Sequence, residues 1–102
     1  MNILDFIFFW RRNKKKKDEA TRLLSPMELN KMPIYDNLDE ALETPEKVFR
    51  LVLKKRKYEK LPVSFAYFKR LHELDLSYNS FQSVSGQILE CKNIQILNLS
   101  NN

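Results

Sequence analysis

From Val48 onward, apolar residues return at a fixed interval. Val48, Leu71 and Ile94 stand 23 residues apart, as do Leu51, Leu74 and Leu97, and again Leu53, Leu76 and Leu99. Between these triplets Leu61 matches Val84, Phe65 matches Ile88, Phe68 matches Cys91, and Asn79 matches Asn102. Within each turn the paired Leu residues are two positions apart. That is the period of a strand, so Leu74 and Leu76 face one side while Asp75 faces the other. The pattern predicts short strands at 51–53, 74–76 and 97–99 in one parallel sheet. Returning segments through Val84, Ile88 and Cys91 close the chain around a shared apolar core.

Upstream the period changes. Ser25-Pro26-Met27-Glu28 has the spacing of a capping box with Pro in the first helical position, and Pro33 bars a long continuation. A stronger helix is predicted over 37–43, where Leu38, Ala41 and Leu42 share a face. Asp36, Asp39 and Glu40 crowd its positive end, and Thr44-Pro45 stops it. Placed just before the first strand, this helix is expected to cover the open end of the apolar core through Leu38, Ala41 and Leu42.

Leu71-His72-Glu73-Leu74-Asp75-Leu76-Ser77-Tyr78-Asn79 and Ile94-Gln95-Ile96-Leu97-Asn98-Leu99-Ser100-Asn101-Asn102 resemble the LxxLxLxxN motif of the leucine-rich repeat family. Val48 to Arg56 keeps the apolar positions but has Arg56 in place of the motif Asn, as a divergent first repeat. The resemblance covers residues 48–102. It implies an α/β fold: a leucine-rich repeat solenoid fragment with one parallel strand per repeat and an N-terminal helical cap. The chain then divides into a tail at 1–22, a cap region at 23–47 and repeats at 48–102, two full and the third cut short. The family's motif Asn turns its amide inward to hydrogen-bond the bending backbone, a role that falls to Asn79 and Asn102. Arg56 lacks an acceptor and resists burial, so the first turn must close differently. Two full repeats and a strand read as a fragmentary array, with Leu97 and Leu99 covered either by more chain or by another protein.

Composition narrows the chemistry. The 102 residues include one Gly, one His and one Cys, so neither a glycine-rich phosphate loop nor a structural zinc site can be assembled from this chain. A lone Cys without a secretory signal fits a reducing, cytoplasmic setting. The formal charge of +5 is unevenly spread: residues 1–22 carry 7 basic and 3 acidic groups, 23–47 carry 2 and 6, 48–70 carry 8 and 1, and 71–102 carry 1 and 3. Nucleic-acid binding would rest on Arg11 to Lys17 and on Lys54 to Lys57 beside Tyr58. No helix-turn-helix, zinc finger or aromatic platform accompanies them, so it is not favoured. The cluster at Lys54 to Lys57 reads more simply as protection of a first, edge strand against pairing with other chains.

No catalytic, cofactor or metal residue is assigned. Cys91 occupies the apolar position held by Phe68 one repeat earlier, and His72 falls at an outward position beside a strand. What the resemblance implies instead is protein binding by the variable strand positions on the concave face of the sheet. Those are Arg50, Val52 and Lys54 in the first repeat, Glu73, Asp75, Ser77 and Tyr78 in the second, and Ile96, Asn98 and Ser100 in the third. Tyr78 is the expected anchor. The fold leaves open an accessory role on a longer enzyme or on a membrane-tethered scaffold. The N-terminus adds an apolar block followed by a basic one, too short to span a bilayer. Phe6, Phe8, Phe9 and Trp10 with Arg11, Arg12, Lys14, Lys15, Lys16 and Lys17 could seat the chain on an anionic membrane surface. The alternative is that the block packs on the domain or on a partner and the Lys run is a solvated tail.

Overall fold

The computed structural model describes residues 7–9 and 22–102. Their elements, in chain order, are β1 (Ile7–Phe9), α1 (Pro26–Asn30), β2 (Ile34–Tyr35), α2 (Leu38–Glu43), β3 (Arg50–Val52), β4 (Glu73–Asp75), α3 (Gly86–Leu89) and β5 (Ile96–Asn98), with 3₁₀ turns at Pro45–Lys47 and Phe65–Tyr67. This is a small α/β domain with few helices. Its sheet runs β1-β5-β4-β3-β2, with β2 to β5 all parallel and β1 antiparallel on β5. Among the described residues, no helix is long and apolar enough to cross a membrane.

The 23-residue spacing is the register of the sheet. Leu51 pairs with Leu74 and Leu74 with Leu97, while Arg50, Glu73 and Ile96 form one flanking row and Val52, Asp75 and Asn98 the other. Each strand begins one residue earlier than the Leu pairs suggested. The backbone ladder nevertheless runs on past the strand ends, through Leu53 N–H to Asp75 O, Lys55 N–H to Ser77 O, Leu76 N–H to Asn98 O and Tyr78 N–H to Ser100 O. Leu51, Leu53, Leu74 and Leu76 are fully buried, and Phe65, Phe68, Ile88 and Cys91 from the returning segments meet them in one core. At about 25 cal/mol per Å² of apolar area removed from water, this shared core is the main driving force for the fold.

Two expectations about the first turn change. β2 lies outside β3 and pairs with it in parallel, Ile34 to Arg50 and Tyr35 to Leu51, so β3 is an interior strand. Accordingly α2 is not a terminal lid but the returning segment between β2 and β3, with Ala41 fully buried and Leu38 and Leu42 packed beside it. Asn37 caps it, its Oδ1 accepting the Glu40 N–H at 3.0 Å. The capping box ahead of α1 is complete: Ser25 Oγ accepts the Glu28 N–H and Glu28 Oε1 accepts the Ser25 N–H.

At the other end of the sheet, β1 covers β5, pairing Ile7 with Asn98, Phe8 with Leu97 and Phe9 with Ile96. Leu97 and Leu99, expected to be covered by more chain or by another protein, are buried within the described residues. Of the residues proposed for a membrane surface, Phe8 and Phe9 therefore have their backbone in the sheet. Phe6 and residues 10–17 lie outside the described residues.

Candidate interaction surface

The outer face of β3, β4 and β5 carries the residues singled out from the sequence, and the structure separates them by what they already hold. Arg50 is a staple. Its Nε donates to Glu73 Oε1 at 2.9 Å, and its Nη1 donates to the Met32 and Asn30 carbonyls at 3.2 and 3.5 Å, tying the α1–β2 segment to two strands. Asp75 Oδ1 accepts the Ser77 N–H and hydroxyl, and Asn98 Oδ1 accepts the same pair from Ser100 one turn later. These two turns shape the exit from each strand. Ser77 is consequently only 2% exposed and drops out of any contact surface, contrary to the sequence expectation. Val52, Asp75, Ile96, Asn98 and Ser100 remain half-buried, and Lys54 is exposed.

Beyond the strand ends, the chain turns through a polar ladder. Asn79 Oδ1 accepts the Arg56 and Tyr58 N–H groups at 2.9 and 3.1 Å, while its Nδ2 donates to the Leu53, Leu76 and Ser77 carbonyls. Asn102 repeats this, accepting from Phe81 N–H and donating to Leu76, Leu99 and Ser100 carbonyls. Arg56 replaces it from outside. Its guanidinium donates to the Lys54 and Asp36 carbonyls, so the first turn is joined to the β2 turn through an exposed donor instead of a buried amide.

The residue before each of these positions is left-handed. Lys55, Tyr78 and Asn101, again 23 apart, have φ of 60°, 57° and 58°, and Lys57 joins them at 62°. Asn enters this region readily. Lys and Tyr do not, and each such residue stores on the order of 1 kcal/mol of strain. Their side chains sit together: Lys55 Nζ lies 5.5 Å from the centre of the Tyr78 ring, and Tyr78 is 52% exposed.

His72 is not an outward residue. It is 0% exposed, because the chain bends before β4 and both Leu71 and His72 turn inward. Nε2 accepts the Leu24 N–H at 3.0 Å and Nδ1 lies 2.6 Å from the Arg70 carbonyl, which fixes the neutral tautomer with its proton on Nδ1. Burial first, and the Arg22 charge in addition, hold its pKa below the ordinary value, against the raising effect of the Arg70 carbonyl. The ring thus fastens the segment entering α1 to the strand layer, a role with no signal in the sequence.

On the side of the returning segments, a groove of about 300 Å³ is lined by Phe65, Ala66, Phe68, Lys69, Glu90, Cys91, Lys92 and Asn93. Cys91 is buried, and desolvation, with a smaller contribution from Glu90, pushes its thiol up to about 11. Its Sγ faces the Phe65 and Gln87 carbonyls, the surroundings of a packed thiol and not of a nucleophile. Among the described residues, no three His, Cys, Asp or Glu side chains are grouped to hold a metal ion. Neither a protein-family model, nor a curated protein, nor a solved structure matches the chain.

Proposed function

We propose that this chain is a non-catalytic interaction module of the leucine-rich repeat type, a solenoid that binds another protein on the outer face of its parallel sheet. The observation that supports this best is the 23-residue register. It places Val52, Asp75 and Asn98 side by side as one half-buried row, flanked by Ile96 and Ser100, with Lys54 and Tyr78 rising at the strand ends. Such a row mixes apolar, amide and charged groups on rigid strands, the composition of a recognition surface. The inward amide ladder supports the repeat assignment, since Asn79 and Asn102 make equivalent bonds one turn apart. The states of Cys91 and His72 favour a binding role over catalysis: one is a desolvated thiol and the other a neutral ring with both nitrogens engaged.

A photo-crosslinking amino acid placed at Val52 or Asn98 in the full chain, in cells, tests this reading. Adducts from these positions and none from Tyr67 or Leu89, exposed on the returning segments, are the expected result. Adducts confined to Tyr67 and Leu89, or no adducts from any position, would overturn it.

A further inference from the structure

The basic run at Lys54 to Lys57 has lost its structural explanation. Edge protection requires an edge, and β3 is interior, with β2 on one side and β4 on the other. What the run does instead is shape a ridge. Lys55 N–H bonds to Ser77 O and Tyr78 N–H to Ser100 O, so Lys55, Tyr78 and Asn101 line up across the ends of three strands. All three adopt the left-handed backbone, yet only the last is a residue type suited to it. Retaining Lys55 and Tyr78 there places a stacked ammonium and aromatic ring at the crest, with Lys54 and Lys57 exposed beside them.

We infer that this ridge is the docking site for a short Asp/Glu-rich segment of the protein partner, with Tyr78 as its aromatic anchor. The inference rests on the interaction reading above and names the partner's chemistry. Charge complementarity selects the class of ligand, and the surroundings select its length. Arg56 bonds to the Asp36 carbonyl, so the exposed acids Asp36, Asp39, Glu40, Glu43 and Glu46 begin at one border of the ridge. Asp75, whose carboxylate shapes the turn into Tyr78 through Ser77, lies on the other, on the outer face. A long polyanion such as nucleic acid, or an extended anionic membrane, would run onto these carboxylates; a segment of a few acidic residues would not.

The test uses the full chain and a labelled short oligo-glutamate peptide, read by fluorescence anisotropy at low and at physiological salt. Binding that weakens with salt is expected. Lys55→Asn and Tyr78→Asn should each lower affinity about fivefold. Because Asn accepts the left-handed backbone, both should also raise the melting temperature, by a few degrees. Lys54→Gln, at a position outside the strained set, should lower affinity with the melting temperature unchanged. Affinity unaltered in all three variants would overturn the inference, as would a lower melting temperature in the two Asn variants. Tighter binding of oligothymidylate or of phosphatidylserine vesicles than of the peptide, lost in the same variants, would also overturn it, in favour of nucleic acid or lipid. Failure of the peptide to bind while Val52 still crosslinks a partner removes the ridge but leaves the interaction reading. Peptide binding without crosslinks from Val52 or Asn98 removes the shared surface.

Discussion

Asn79→Ala should be among the most damaging single changes in the described chain, and its cost can be counted from the carboxamide. Oδ1 serves two backbone N–H groups, of Arg56 and Tyr58, and Nδ2 serves the Leu53 and Leu76 carbonyls at 2.9 Å and Ser77 O at 3.3 Å. Truncation leaves these groups inside a turn where Asn79 itself is only 8% exposed. At about 1 kcal/mol for each well-formed bond, partly restored by water at the two half-buried N–H groups, the loss is about 3–5 kcal/mol. Against a typical stability of about 5–15 kcal/mol this is large enough to move a urea midpoint substantially. Asn102→Ala, more exposed and serving one N–H group, is expected to lose about 1–2 kcal/mol. Asn79→Asp adds a control, since it keeps the acceptors but sets a carboxylate against the Leu53 and Leu76 carbonyls; it should be at least as destabilising as Ala. Equilibrium urea unfolding followed by circular dichroism reads all three. A loss below about 1 kcal/mol for Asn79→Ala, or one no larger than for Asn102→Ala, would refute the buried-ladder account.

Leu74→Ala, at the centre of the sheet, should cost about 2–5 kcal/mol, whereas Asp75→Ala, which removes one turn acceptor, should cost about 1 kcal/mol; urea midpoints separate them. For His72 the folded pKa is lowered, so the unfolded chain takes up the proton first. Stability is full above the ordinary value of 6.5 and falls as pH drops below it, with a slope of at most about 1.4 kcal/mol per pH unit. His72→Gln should flatten that region of a stability–pH profile, and loss from Glu28, whose pKa is held below 4.5 by the Ser25 backbone bond, belongs to more acid conditions. A double-mutant cycle on Arg50 and Glu73, both largely buried at the ion pair, should give a coupling of about 1 kcal/mol, with Arg50→Ala the worse single change because it also frees the Met32 and Asn30 carbonyls.

What could be read from the chain was whatever repeats. The Leu pairs, the buried thiol at Cys91 and the two amides follow from a period that the register of the sheet reproduces residue for residue. Ile34 and Tyr35 escaped because β2 precedes β3 by only 16 residues, breaking the interval, and two residues make no visible alternation. Ile7 to Phe9 gave an apolar signal without the 23-residue interval that marks the later strands, and its backbone pairing with β5 is visible only in the structure. His72 escaped because strand alternation holds inside a strand and fails at the bend before it, where Leu71 and His72 are both buried. The left-handed ridge had no signal at all, since Lys and Tyr are among the residues least expected there. On the candidate surface, sequence alone could place Arg50, Ser77 and Tyr78 on one face. It could not separate the staple and the buried turn hydroxyl from the exposed ring.

The ladder has a direction, and this explains how the first turn does without an Asn. Asn79 accepts from Arg56 and Tyr58, and Asn102 from Phe81, so each amide satisfies N–H groups of the turn before it while donating to carbonyls of both. The turn that follows β3 is therefore fixed by Asn79, from the second repeat, and places no demand on position 56. The earlier, shorter turn after β2 offers a carbonyl at Asp36, to which a long donor suffices, and Arg56 supplies one from the surface. Order thus passes backward along the chain: the second turn holds the first, and the third holds the second. It follows that Asn102 acts on the Tyr78 turn as Asn79 acts on the Lys55 turn: one amide bonds the Leu76 carbonyl and the Phe81 N–H on either side of Tyr78, the other the Leu53 carbonyl and the Arg56 N–H on either side of Lys55.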